Sequence, residues 1–98
     1  MAEMQLQTAL DFLKAGNLET GEDWHEAHQI CQAHEGSPLF DWLHALVHRI
    51  EGDDANADYW YRRAGKNRHS GSVAEERRHA LTVVRPNSGA TPRAAGGD

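Results

Sequence analysis

Residues 38–64 read PLFDWLHALVHRIEGDDANADYWYRRA, and this stretch decides the fold. Four large apolar residues of its first half recur at i, i+4, i+7 and i+11, the spacing of one face of an α-helix; they are Leu39, Leu43, Leu46 and Ile50. Ser37 followed by Pro38 is typical of a helix start, because Ser is a favoured N-cap and Pro a favoured first helical residue. The pattern predicts a helix over residues 38–51, the most apolar of the chain and therefore the central one.

The second half of the stretch predicts another helix, over residues 54–64. Gly52-Asp53 is the whole link between the two, and a link this short makes consecutive helices antiparallel neighbours. Small residues on both helices let the backbones approach closely, and an aromatic residue fills the space beyond them; the residues concerned are Ala45, Ala57, Tyr61 and Ala64. This hairpin resembles the unit of tetratricopeptide and Sel1-like repeat proteins, which implies a tetratricopeptide-like helical bundle. The segment 42–65 is also similar to segments of small uncharacterised bacterial proteins, a resemblance that implies no activity.

The rest of the chain predicts three more helices. Apolar residues at helical spacing indicate helices over about residues 4–15 and 22–34, and a fifth that begins after Ser72 and ends before Pro86. Ser72 and Glu75 have the spacing of a capping box. We therefore expect an all-α fold of about five short helices in antiparallel hairpins, with residues 1–85 as a single domain and residues 86–98, which are small and polar, as a disordered tail.

The composition of the chain indicates which partners and which cellular compartment are to be expected. The 98 residues carry a formal net charge of −5 with histidine neutral, which disfavours nucleic acid and anionic membrane surfaces as partners. Cys31 is the single cysteine and therefore forms no internal disulfide, as is usual in a reducing compartment. The chain has no run of about 18 apolar residues that could span a bilayer and no basic, apolar leader at its start. We expect a cytoplasmic protein without a membrane partner.

The histidines offer a candidate metal site. His44 and His48 are four residues apart on the predicted central helix, so they share a face. His28 on the preceding helix and Glu51 complete a possible set of four ligands for zinc, nickel or iron. However, His44 and His48 lie opposite the leucine stripe, which predicts the solvent face unless the fifth helix or a second subunit covers them. In the alternative interpretation, His48 packs at the contact of the third and fourth helices and His28 is a histidine at the edge of the core.

Catalysis is a further possibility that the sequence leaves open. His48 with Glu51 or Asp41 could act as acid–base groups. Such a site needs a concave pocket, which five short helices seldom form unless two subunits share one. The pattern identifies no substrate, so whether the protein is an enzyme stays undecided.

The leading functional hypothesis is a small module that binds protein, most simply a second copy of itself as a homodimer. The hairpin, the short chain and the aromatic content favour it, since aromatic residues and arginine are enriched at interfaces. Trp42 and Trp60 are expected to be buried at the contact of the third and fourth helices. Tyr59, Arg62 and Arg63 remain outside that contact and are the candidate interface residues.

Overall fold

The computed structural model describes residues 2–84 and confirms an all-α fold. Its five helices are α1 (Ala2–Ala15), α2 (Glu22–Gln32), α3 (Pro38–Glu51), α4 (Asp54–Ala64) and α5 (Val73–Val84). The bounds of α3 and α4 agree with the predicted ones, and no residue between 2 and 84 lies in a strand. The predicted tail, residues 86–98, lies outside the described residues. Among the described helices, none combines the length and the apolar character needed to cross a lipid bilayer.

The tight link between α3 and α4 depends on Gly52. This residue ends α3 with φ at 84°, in the left-handed region that glycine adopts without a steric cost. Its N–H donates to the carbonyl of Arg49 at 3.1 Å, and the N–H of Asp53 donates to the carbonyl of His48 at 3.0 Å. The Asp53 side chain then caps α4 by accepting from the backbone N–H of Asn56 at 3.2 Å. The chain thus reverses within two residues, as the sequence predicts.

Helix α3 is the centre of the fold, because it packs against all four other helices. Every residue from Phe40 to His48 is buried, including those opposite the leucine stripe. The leucine stripe predicts a solvent face at His44 and His48 unless another element covers them, and here they are covered: their exposed fractions are 2% and 8%. The elements that cover them are α2 and α4 rather than the fifth helix or a second subunit.

Helix α5 is attached to the core by a buried carboxylate. Glu76 has no exposed surface and accepts hydrogen bonds from the Nε1 of Trp42 at 2.9 Å, the Nη1 of Arg49 at 2.9 Å and the hydroxyl of Tyr61 at 2.7 Å. Trp42 is buried as predicted, but its indole N–H points to α5 rather than to α4. The capping box at the start of α5 is present, with the N–H of Glu75 donating to the Oγ of Ser72 at 3.1 Å.

Candidate metal centre

Three histidine side chains from two helices converge beneath the surface of the bundle. His28 of α2 and His44 and His48 of α3 each offer one ring nitrogen, and these nitrogens lie within 4.8 Å of one another. The closest pair is the Nε2 of His28 and the Nε2 of His44, 3.1 Å apart. The sequence predicted these three residues as members of one site, and the fold brings them together.

The arrangement of the rings follows from how α2 packs on α3. His44 and His48, one helical turn apart, stack with their ring centroids 5.0 Å apart. His28 approaches both rings edge-on, at 4.9 Å from His44 and 5.1 Å from His48. Trp24, one turn before His28, donates its Nε1–H to the carbonyl of Val47 at 2.8 Å and so fixes α2 against α3 at this point.

Two tryptophans form the walls of the cluster. Trp24 stacks on His28 with a centroid distance of 5.0 Å, and Trp60 of α4 stacks on His44 at 3.9 Å. The helical spacing of the sequence places His28 beside Trp24 near the core, but it does not connect Trp60 with the histidines. Two features of the sequence indicate these contacts. Trp24 and His28 have the i, i+4 spacing of a shared helix face. The short Gly52-Asp53 link makes α3 and α4 antiparallel, which places Trp60 of α4 at about the level of His44 of α3.

Burial favours the neutral form of His44 and His28. Removal from water, with smaller contributions from His28 and His48, lowers the pKa of His44 to about 3. The pKa of His28 is lowered as well, first by burial and then by the neighbouring His48. A metal ligand must have a free lone pair on an unprotonated ring, so these two histidines are in the state that coordination requires at neutral pH.

The hydrogen bonding within the cluster is incomplete. One neutral ring of the His28–His44 pair must donate its Nε2–H to the lone pair of the other. The Nδ1 of His44 is buried and has no partner among the described residues. An unpaired buried polar atom costs about 1–3 kcal/mol, and such atoms in a folded protein call for a physical explanation.

Glu51 contacts the cluster from outside the group of three. Its Oε1 lies 2.5 Å from the Nδ1 of His48, one turn earlier on α3. Glu51 also forms a second group with His48 and Asp53, in which one ligand atom from each lies within 4.8 Å of the others. The predicted four-residue set is thus present as three converging imidazoles and a carboxylate attached to one of them.

Asp41, the other carboxylate considered for acid–base chemistry, lies elsewhere. It is buried near the start of α3, where its Oδ1 accepts from the backbone N–H of Gly36 at 3.1 Å. Seven residues, about two helical turns, separate it from His48. Its contact therefore stabilises the link between α2 and α3.

The candidate interface residues lie on the outer face of α4. Tyr59, Arg62 and Arg63 are exposed, and Tyr59 retains 43% of its surface. The Nη1 of Arg63 donates to the hydroxyl of Tyr59 at 3.0 Å, and its guanidinium carbon lies 4.9 Å from the centre of the Trp60 ring. Arg63 therefore lies over two aromatic side chains.

Comparison of the chain with protein-family models, with curated proteins and with solved structures returned no match. The resemblance of residues 38–64 to a tetratricopeptide unit therefore rests on the residue pattern of this segment alone.

Proposed function

We propose that this protein binds a divalent transition metal ion, such as zinc, nickel or iron(II), through His28, His44 and His48. The observation that carries the proposal is the convergence of three imidazoles from two helices, with one nitrogen of each within 4.8 Å of the others. Imidazole nitrogen suits this group of metals, and ligands contributed by facing helices are a common way to build a metal site in a bundle.

The spacing of the donors is close to what coordination requires. Zinc–nitrogen bonds of about 2.0–2.1 Å place the nitrogens of a tetrahedral site about 3.3–3.4 Å apart. The Nε2 atoms of His28 and His44 are 3.1 Å apart. The third nitrogen lies within 4.8 Å of the other two, so His48 has to approach them for all three to coordinate. The ion would take the place of the Nε2 proton between the first pair, and that proton would move to the Nδ1 of the same ring.

Metal binding to the folded state should raise its stability. A ligand present at 100 times its dissociation constant contributes about 2.7 kcal/mol. In a domain of this size that corresponds to a rise in Tm of roughly 10–20 °C. Adding Zn²⁺ or Ni²⁺ to protein freed of metal by a chelator, and following Tm by circular dichroism, measures this effect.

Fluorescence locates the bound ion. Trp24 and Trp60 stack on His28 and His44, so paramagnetic Ni²⁺ in the cluster should quench their emission with one ion per chain. His28→Ala should abolish both the quenching and the rise in Tm. Its matched control is His25→Ala, an exposed position three residues earlier on α2 whose ring contacts Gln29 instead.

The competing interpretation gives a different result. If the three histidines serve only to pack the helices, replacing buried His44 or His48 lowers Tm, but the parent protein responds to neither chelator nor metal. Equal responses of His28→Ala and His25→Ala would likewise exclude the cluster as the site of binding.

Protein binding through the outer face of α4 is a second candidate function, and the contact of Arg63 with Tyr59 and Trp60 favours it. Exposed tyrosine and arginine are typical of interfaces, and a side chain already held in one rotamer loses less entropy on association. Sedimentation velocity over a range of concentrations tests self-association. A dimer that Tyr59→Ser dissociates would support it, and a monomeric mass at every concentration would contradict it.

A further inference from the structure

Glu51 and His48 form a pair whose geometry bears on the coordination of the proposed metal. The short contact between the Oε1 of Glu51 and the Nδ1 of His48 requires that this ring nitrogen carries a proton. In the unprotonated ring that coordination requires, the lone pair then lies on Nε2. When the Nε2 proton between His28 and His44 moves to the Nδ1 of the ring that carries it, both rings adopt this same tautomer and each has a lone pair on Nε2.

We infer that Glu51 acts from outside the coordination sphere as a positioning residue for His48, and that the metal therefore keeps one position open for a small exogenous ligand such as water or a monoanion. The inference rests on the proposed function. Histidine ligands commonly donate their second N–H to a carboxylate, which fixes the tautomer and the ring orientation. Zinc with three protein ligands takes water or a substrate in its fourth position.

The grouping of donor atoms supports this assignment. The ligand atoms of His28, His44 and His48 form one group of three that lie close together. Glu51 is not a member of that group and belongs to a separate one with His48 and Asp53. Asp53 caps α4, because its two carboxylate oxygens accept hydrogen bonds from the backbone N–H and the Nδ2 of Asn56 at 3.2 and 2.7 Å. Hydrogen bonds from Asn56 lower the pKa of Asp53, which keeps this N-cap charged.

Burial around the cluster indicates the direction from which an exogenous ligand arrives. Trp60 covers the inner side through its stack on His44. On the other side His28 is only half-buried, and the side chain of Glu51 is 30% exposed. We therefore expect a small ligand to arrive from the side of His28 and Glu51, between α2 and the end of α3.

Cobalt(II) tests the inference directly, because its visible absorption changes with coordination number and with the identity of its ligands. The metal-free protein would be loaded with Co²⁺, and azide would then be added. We expect one cobalt per chain and a spectrum that azide changes in a saturable manner.

Substitutions of Glu51 show whether this residue positions His48 or is itself a metal ligand. Glu51→Gln keeps an oxygen that accepts from the Nδ1–H of His48, so its cobalt affinity should stay close to that of the parent. Glu51→Ala removes the acceptor and should weaken binding about 10–100-fold, the usual effect of losing such an outer partner. Asp53→Asn, which retains a good N-cap, is the control and should bind cobalt like the parent.

Two results would overturn the inference in distinguishable ways. If cobalt binds at one ion per chain but Glu51→Gln weakens it as much as Glu51→Ala, and azide leaves the spectrum unchanged, Glu51 is itself a ligand and only the metal-binding proposal survives. If cobalt does not bind at all, both proposals fail together. Glu51 lies at the exposed end of α3, so Glu51→Ala should remain folded, with its Tm lowered only by the loss of the hydrogen bond to His48. Cobalt titrations carried out well below the Tm of each metal-free variant therefore measure a loss of affinity and not unfolding.

Discussion

Replacing Tyr61 with phenylalanine should measure the energy with which Glu76 holds α5 to the core. The hydroxyl of Tyr61 donates to both oxygens of the buried Glu76 carboxylate, at 2.7 and 2.8 Å. Tyr61→Phe removes this donor and leaves the ring in place, while Trp42 and Arg49 continue to donate to the carboxylate. A hydrogen bond to a charged group contributes about 1.5–3 kcal/mol, which is the expected loss of unfolding free energy.

Urea denaturation followed by circular dichroism provides the assay. A domain of this length has a total stability of roughly 4–12 kcal/mol, so the predicted loss is a large and measurable fraction. The slope of unfolding free energy against urea should not change, because the variant exposes the same surface on unfolding.

The chain supplies a matched control in Tyr59→Phe. This substitution removes the same atom from an exposed tyrosine on the same helix, and we expect a change within about 0.5 kcal/mol. Equal effects of the two substitutions, or a Tyr61→Phe protein as stable as the parent, would refute the idea that the Glu76 network stabilises the fold.

Burial lowers the pKa of His44 to about 3, whereas the unfolded ring takes up a proton below about pH 6.5. Stability present above pH 6.5 should therefore be lost as pH falls toward 3, by up to about 1.4 kcal/mol per pH unit. Urea midpoints at pH 7 and pH 5 in the presence of chelator would show this, and His44→Phe should reduce the difference. Trp60→Ala should lower the free energy of unfolding by about 3–5 kcal/mol because it empties a buried site against His44, and an unchanged Tm would contradict the packing described. Gly52→Ala should cost about 1–2 kcal/mol, because φ at 84° strains a residue with a side chain, although an added Cβ meets no atom within 4 Å. A Tm equal to that of the parent would show that the turn relaxes.

The sequence predicted the helices well because their signals are local. The start and end of α3 follow from Pro38 and Gly52, and the start of α5 follows from Ser72 and Glu75, all of which act within one helical turn. The three converging histidines were also predictable, since i, i+4 spacing fixes two of them on one face.

The burial of those histidines could not be predicted, because it depends on how α2 and α4 approach α3. A leucine stripe indicates one buried face, and a helix surrounded by others buries the remaining faces with whatever residues lie there. Glu76 and Arg77 were missed for the same reason. A charged residue is normally exposed, and only the tertiary partners reveal the exceptions: the three donors around Glu76, and the Leu10 carbonyl that accepts from the Nε of Arg77 at 2.7 Å.

The enclosure of α3 on every side has a consequence for how the protein tolerates change. In a helix at the surface of a bundle, a scan of all substitutions shows tolerant and intolerant positions alternating with a period of about 3.6 residues. Every residue from Phe40 to His48 is buried, so the same scan here should show one unbroken block of intolerance. Sequence variation among natural or engineered versions of this chain should therefore accumulate in the other four helices, around a central segment that changes least.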